Sequence, residues 1–193
     1  EEVDRILRQL TENVGKEAPT VLSSLDIMTD IDAICARASL AEEQHAVRPE
    51  LLVDGRVEIV QGRHPLLNKD IVVPLDVSIG GKFNLLLITG PNTGGKTVAL
   101  KAVGIFALMA QTGMFIPARS AKLPVFRAVY ADIGDEQSIE QSLSTFSAHM
   151  TNLISIINEV KNGDLVLVDE ICAGTDPNEG AALAMSMLEH LQQ

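Results

Sequence analysis

The chain has 193 residues, enough for one sizeable α/β core with a smaller appendage. Hydrophobic residues make up 46% of it, so it should fold, and because aromatic residues make up only 3% its core should be aliphatic. The scarcity of aromatic rings disfavours a stacking platform for single-stranded nucleic acid. A net charge of −11 argues against strong electrostatic DNA binding by this chain alone, although a larger protein containing it could still bind nucleic acid.

Cysteine usage and hydropathy predict a cytoplasmic protein that does not enter a membrane. Cys35 and Cys172 lack metal-ligand spacing, and we interpret them as reduced thiols. No apolar run approaches the roughly 20 residues of a membrane span, and the charged first residues do not resemble a signal peptide. Because the sequence does not begin with Met, we expect it to be a piece of a longer protein.

The pattern of residues 1–50 predicts two helices. Apolar residues recur at helical spacing from Val3 to Val14 and again from Ser24 to about Ala46, before Pro49 ends the second helix. We expect these helices to form an antiparallel pair with a structural role.

From residue 51 onward the pattern predicts strands that alternate with helices. The apolar run Asn84–Thr89 is typical of a fully buried strand. Alternating strands and helices predict an α/β fold with a mostly parallel sheet flanked by helices. The predicted strands are Val57–Val60, Ile71–Val73, Asn84–Thr89, Val125–Ala131 and Leu165–Val168, and the predicted helices are Gly95–Thr112, Ser144–Val160 and a last one from Glu179.

A glycine-rich loop after the predicted strand Asn84–Thr89 fits the phosphate-binding pattern G-x-x-x-x-G-K-[ST]. Glycines let successive backbone N–H groups point into one concavity, which meets the positive N-terminus of the next helix. A lysine and a threonine then reach the phosphates and Mg²⁺. A glycine-rich turn with an exposed lysine is the alternative, and the strand before it and the helix after it favour the phosphate loop. The predicted nucleotide-binding residues are Gly90, Pro91, Asn92, Thr93, Gly94, Gly95, Lys96 and Thr97.

Two carboxylates follow the apolar strand Leu165–Val168. Ligands of open α/β sheets bind at the carboxyl ends of strands, so Asp169 can hold Mg²⁺ together with Thr97. Glu170 is then placed to orient and deprotonate the attacking water. A pair of solvated acids is the alternative. A GTPase is discarded, because the segment 68–71 lacks the last Asp of the base-reading N-K-x-D motif and precedes the loop.

The segment 131–150 has an acidic, hydroxyl-rich first half that predicts a loop, with Ser144 or Thr145 as a helix N-cap. One interpretation is a capped surface helix. The other is that its hydroxyls and helix N-terminus present an anion-binding surface to a nucleotide held by a second subunit.

Several segments together resemble the MutS family of ABC-type ATPases. They are Gly62–Leu66, Ile88–Thr97, Ser144–Phe146 and Asp169–Glu170, and the segments 131–147 and 173–177 look like the second bacterial branch of that family. Members of this branch lack a mismatch-repair role and usually end in an Smr nuclease domain. The resemblance covers essentially the whole chain. It implies a P-loop NTPase (ABC-type) domain at residues 51–193, preceded by a helical lever segment at residues 1–50.

The same resemblance implies roles for single residues. Asn92 would contact the γ-phosphate, and Ser144 would complete the site of a second copy across a head-to-tail dimer. Together with Lys96 and Glu170 these form the predicted catalytic set. The remaining implied positions are Asp135 and Glu136 in a segment corresponding to the Q-loop, Asp176 in a loop that communicates between sites, and Ile71 and Val72 near the adenine.

The sequence departs from this family in two places. Cys172 stands where the branch usually has glycine, and the chain ends at Gln193, before the next strand and its switch histidine. The histidines present do not replace the missing one. We expect His64 to fix a turn before Pro65, and we expect His149 and His190 to be ordinary helix-surface residues.

The resemblance therefore implies an ATPase that uses ATP and Mg²⁺ to work a clamp on branched DNA, on stalled ribosomes or on both. Endonuclease activity would belong to a domain outside this chain, as would most nucleic-acid contacts. A nucleotide-binding dimerisation module with little turnover of its own remains the alternative. A small-molecule kinase would leave the segment Ser144–Phe146 without a purpose.

Overall fold

The computed structural model describes residues 1–68, 70–91, 94–134, 142–171 and 176–192, with the side chains of 142–146, 148 and 177 left aside. The described chain divides into two compact units, Glu1–Glu43 and Gln44–Gln193.

The first unit is one helix, α1 (Glu2–Glu43), of 42 residues. The predicted antiparallel pair of helices is therefore wrong. Pro19 lies inside α1, although an interior proline removes one helical hydrogen bond. Beyond Pro19, the hydroxyls of Ser24 and Thr29 donate to carbonyls four residues earlier, as they do within a helix. Large apolar side chains of α1, Ile31 among them at 55%, are exposed.

The second unit combines two sheets with three helices. A four-stranded sheet has the strand order β1–β4–β2–β3, in which β1 and β4 are parallel and the other two pairings are antiparallel. A two-stranded parallel sheet joins β5 and β6. The elements in chain order are β1 (Glu50–Leu52), β2 (Val57–Gly62), β3 (Leu75–Ile79), α2 (Lys96–Gln111), β4 (Ser120–Pro124), β5 (Val129–Asp132), α3 (Ser142–Glu159), β6 (Leu165–Val168) and α4 (Pro177–Leu191).

The main core of this unit is mostly aliphatic, as the composition predicts, and includes the rings of Phe106 and Phe126. Phe106 of α2, Ile59 of β2 and Leu123 of β4 are buried together, and Leu167 of β6 joins the same cluster. A smaller apolar cluster holds α3 and α4 together near the end of β6 and includes Leu153 and Met187. The elements that carry the predicted nucleotide-binding motifs, α2 and β6, therefore share one core.

The predicted P-loop (ABC-type) α/β fold with a mostly parallel sheet is wrong for the described residues. The larger sheet is mixed, and the segment 84–89 forms no strand there. Its leucines Leu86 and Leu87 are 43% and 63% exposed, because β5 and β6 pair only with each other and leave this run without a partner strand. The helical segment ahead of the sheets is also a single long helix instead of a short pair.

Several predicted elements are confirmed: β2, α2, α3 and β6 lie within two or three residues of their expected bounds, and α4 begins two residues before Glu179. The predicted strand Ile71–Val73 is wrong, since Ile71 and Val72 lie in a turn in which both N–H groups donate to the carbonyl of Asn68. The predicted N-caps Ser144 and Thr145 are also wrong, because α3 begins at Ser142. Within the described part of the chain, no helix is long and apolar enough to cross a membrane.

Candidate nucleotide-binding site

The glycine-rich loop leads directly into α2. Gly95 is the N-cap of this helix and has a φ of 76°, a left-handed conformation that glycine adopts without steric cost. The N–H of Gly94 donates to the carbonyl of Pro91 at 2.9 Å, and the N–H of Ala99 donates to Gly95 at the same distance. A turn therefore closes the loop, and the first helical hydrogen bond follows at once.

The N-terminus of α2 differs from that of α4. No side chain caps α2, whereas the carboxylate of Asp176 accepts the N–H groups of Asn178 and Glu179 at the start of α4. The first N–H groups of a helix have no partner within it, and their partial positive charge favours anions. The start of α2, uncapped by a side chain, can receive a phosphate in a way that the start of α4 cannot.

Lys96 begins α2, and its ammonium turns back across the loop. Its Nζ donates to the carbonyl oxygen of Gly90 at 2.8 Å. The cation is thus held against the first residue of the loop. Since this hydrogen bond is to a carbonyl, an anion can compete for the same ammonium.

The threonine of the loop meets the carboxylate at the end of β6. The Thr97 hydroxyl donates a short hydrogen bond to Oδ2 of Asp169, across 72 residues of sequence. Both residues are half-buried. The predicted magnesium ligands are therefore in direct contact, because α2 begins and β6 ends at the same edge of the core.

These two oxygen groups fit a magnesium ion that is also bound by a nucleotide. Mg²⁺ usually keeps several waters and takes one or two protein carboxylates together with substrate phosphates. In the described residues no group of three or more His, Cys, Asp or Glu side chains could hold a metal by itself. One carboxylate beside one hydroxyl is thus suited to a metal that arrives with phosphate.

Glu170 follows Asp169 and is exposed. Its φ is 50°, an uncommon conformation for a residue with a side chain. Such strained positions cluster at active sites, where the surrounding structure maintains them. The backbone turn at Glu170 directs the chain out of β6 directly beside the Thr97–Asp169 pair.

Other predicted site residues fall outside the described part of the chain. These are Asn92, Thr93, Asp135, Glu136, Cys172 and the side chain of Ser144. Ile71 and Val72, predicted near the adenine, lie in the turn described above, and the Ile71 side chain is 78% exposed.

The structure also places residues beside the candidate site that the sequence does not predict there. Asp132 ends β5 and is buried, with an exposed fraction of 6%. Its carboxylate contacts His149 and Asn152 of α3, so His149, whose side chain is 41% exposed, lies at the helix surface as predicted but also has a buried partner that was not predicted. Two signals were available: an aspartate ends an apolar strand, as at Asp169, and residues 149 and 152 lie three apart on one helix face.

His64 fixes a turn, as predicted, but this turn runs from His64 to Leu67 and contains Pro65 instead of preceding it. Its Nδ1 accepts the N–H of Leu66 at 3.3 Å, and its carbonyl accepts the N–H of Leu67. Partial burial lowers the pKa of His64 below its ordinary value of 6.5, and the positive charge of Lys101 lowers it further. The imidazole is therefore held in its neutral form beside α2.

These motifs, on α2 and at the end of β6, agree with the comparisons with known proteins. The sequence model described as MutS domain V matches residues 86–193, and the chain belongs to the MutS family. It is 53% identical over 191 residues to Endonuclease MutS2 of Shouchella clausii, an alignment that covers 98% of this chain and 24% of that protein. It is 55% identical over 194 residues to Endonuclease MutS2 of Symbiobacterium thermophilum, covering 100% of this chain and 24% of the relative.

The chain thus spans about a quarter of the length of these relatives, at 24%. The predicted resemblance to the MutS family is confirmed. Since the relatives' names state no nucleotide chemistry, the predicted ATPase activity stays a prediction.

Proposed function

We propose that this chain binds ATP with Mg²⁺ and hydrolyses it, as the nucleotide site of a larger MutS-family protein that acts on DNA. The contact between Thr97 and Asp169 carries the proposal. It joins a glycine-rich loop at a helix N-terminus to a strand-end carboxylate, and these are the two parts that magnesium nucleotide binding requires.

The residues divide the work as follows. Backbone N–H groups of the loop and the Lys96 ammonium hold the β- and γ-phosphates, and Lys96 exchanges its bond to Gly90 for one to phosphate. Thr97 and Asp169 hold Mg²⁺, which when bound neutralises the charge on the phosphate oxygens. Glu170 orients the attacking water and accepts its proton as general base.

Two further roles rest on the family resemblance. Asn92 contacts the γ-phosphate, and Ser144, in the first turn of α3, completes the site of a second copy in a head-to-tail dimer. Such sharing makes hydrolysis depend on dimerisation.

Replacing Glu170 by Gln tests the proposed reaction in the full-length protein. General-base catalysis contributes about 10²–10⁴-fold to a rate, so ATP turnover of E170Q should fall by about that factor while ATP affinity is retained. Glu189→Gln on the exposed side of α4 is the matched control and should leave turnover unchanged. Undiminished hydrolysis by E170Q would remove Glu170 from this role.

The DNA part of the proposal is supported by the name Endonuclease MutS2 of the relatives. With a net charge of −11, this chain contributes few of the phosphate contacts itself. Branched DNA and stalled ribosomes are the two substrates that the resemblance implies. Measuring branched-DNA binding and ATP-dependent ribosome splitting side by side with the full-length protein separates them.

One structural observation favours the alternative of a nucleotide-binding module with little turnover of its own. The apolar run before the loop lacks a partner strand among the described residues, and Leu87 is 63% exposed. A loop on an unpaired segment can bind nucleotide without holding Glu170 in a fixed position. Equal steady-state hydrolysis per site by this chain and by the full-length protein would contradict the module.

A further inference from the structure

Three polar side chains meet at the carboxyl end of β5 and use both oxygens of one buried carboxylate. Oδ2 of Asp132 lies 3.0 Å from Nδ1 of His149, and Oδ1 accepts the amide Nδ2 of Asn152 at 2.8 Å. When the carboxylate is ionised it can only accept, and Nδ1 is then the donor in this contact. Asp132, His149 and Asn152 are called the Asp132 cluster below, and the last two belong to α3.

The Asp132 cluster connects directly to the proposed magnesium ligands. The backbone carbonyl of Asp132 accepts the N–H of Asp169 at 2.9 Å, beyond the last residue of β6. The side chain of Asp169 in turn accepts the hydroxyl of Thr97. One residue, Asp132, therefore holds α3 through its side chain and the nucleotide-site carboxylate through its backbone.

Gly134 leaves the space that the His149 ring occupies. A Cβ atom at this position would lie 2.7 Å from Cε1 and 2.9 Å from Nε2 of the imidazole. Both distances are well inside ordinary contact, so any side chain at residue 134 would displace the ring from Asp132. The ring is thus fixed by a hydrogen bond on one side and by backbone on another.

We propose that the Asp132 cluster consists of positioning residues that couple α3 to the Thr97–Asp169 pair, so that magnesium-nucleotide binding and the placement of α3 depend on each other. This inference rests on the proposed nucleotide function. Partners that orient a metal-binding carboxylate affect metal affinity strongly, although they do not touch the metal. Since coupling is reciprocal, occupancy of the site should also stabilise α3.

Magnesium affinity tests the coupling without relying on turnover. In the full-length protein, Mg²⁺ is titrated in the presence of a fluorescent ADP analogue. His149→Leu removes the donor and should weaken magnesium binding by about 10–100-fold. His149→Asn places an amide nitrogen near the position of Nδ1 and should restore affinity to within about twofold of wild type.

Matched controls are an asparagine and a histidine at exposed positions of α3 and α4. Asn158→Ala, an exposed asparagine of α3, and His190→Leu, an exposed histidine of α4, should both bind Mg²⁺ as wild type does. Asn152→Ala should instead behave like His149→Leu. Wild-type magnesium affinity in both H149L and N152A would overturn the proposal.

Gly134→Ala provides a second route to the same contact. Its added methyl should displace the His149 ring and reproduce the loss of affinity seen in H149L. In an H149A background the space is open, so G134A should add no further loss. Equal and additive effects of G134A in both backgrounds would mean that the ring is not involved.

Hydrogen exchange of the nucleotide-free protein keeps this inference separate from the proposed function. Peptides covering β6 and Asp169 should exchange faster in H149L than in wild type or N158A. If wild type binds no magnesium nucleotide, the proposed function fails, and the positioning proposal fails with it. If wild type binds and the exchange of β6 is the same in all variants, only the positioning proposal fails.

Discussion

Gly104 lies in the middle of α2 where this helix packs on β6, and replacing it by Ala tests how the candidate nucleotide site is held together. A Cβ atom at this position would lie 2.7 Å from Cδ1 of Leu167. Carbon atoms in contact are normally about 3.5–4.0 Å apart, so the methyl groups would overlap by about 1 Å. Leu167 is only 6% exposed and belongs to the main core, which leaves its side chain little room to move.

Two opposing terms set the size of the effect. Alanine favours a helix over glycine by about 1 kcal/mol, whereas overpacking a close-packed core costs about 1–3 kcal/mol. We expect the packing cost to exceed the helix gain, with a net loss of about 1 kcal/mol in the free energy of unfolding. For a domain of this size that loss lowers Tm by about 2–4 °C.

Urea and thermal unfolding of a double-mutant cycle with Leu167→Val isolate the contact. Valine lacks the Cδ1 atom that meets the new methyl group, so Gly104→Ala in the L167V background should stabilise the protein by about 1 kcal/mol. The change of sign between the two backgrounds is the decisive result. If G104A stabilises both backgrounds equally, α2 does not pack on β6 as closely as the structure shows. The overlap should also weaken nucleotide binding, because α2 begins at the loop and β6 ends at Asp169.

Three further predictions concern groups around this core. The pKa of His64 is lowered below 6.5, so its neutral form stabilises the fold above that pH. This stabilisation is lost as the pH falls through the lowered pKa. His64→Gln should therefore flatten the dependence of Tm on pH below about 6.5. Burial raises the pKa of Asp164, but hydrogen bonds from Arg127 and a backbone N–H lower this pKa more. The stability that the ionised Asp164 provides is therefore lost as the pH falls below 3.8, the ordinary pKa of an aspartate. Asp164→Asn should lose less stability on acidification than wild type. Asp176→Ala removes the N-cap of α4 and should lower the free energy of unfolding in urea by about 1 kcal/mol without changing nucleotide affinity. A loss of affinity without a loss of stability would instead give Asp176 a role at the site.

The sequence predicts the local chemistry of the candidate site better than the sheet that supports it. Loop, helix and strand end follow from short patterns, and Thr97 does meet Asp169. The strand predicted at Asn84–Thr89 is wrong, because an apolar run forms a buried strand only where neighbouring strands cover it. Strand order depends on contacts between distant residues, which local periodicity does not contain.

The N-terminal helices show the same limit in another form. The predicted helices stop at Val14 and resume at Ser24, but α1 continues through this segment and through Pro19. The contact of His149 with Asp132 is not predicted for a related reason: His149 is 41% exposed, as helix histidines usually are, and only the path of β5 brings Asp132 beside it. Each of these errors concerns a residue whose environment is set by another element.

The way the candidate site is supported has a physical consequence for how it can respond to a ligand. Its two central elements, α2 and β6, are joined by the close contact of Gly104 with Leu167 inside the main core. Among the described side chains of α3, Leu153 packs in a smaller apolar cluster, and His149 and Asn152 contact Asp132. Close-packed cores resist small shifts, whereas a helix held by few contacts can adjust at low cost. Variants at Gly104 should therefore change the affinity of the site through its core, and variants of the Asp132 cluster should change both its magnesium affinity and how far its occupancy reaches α3.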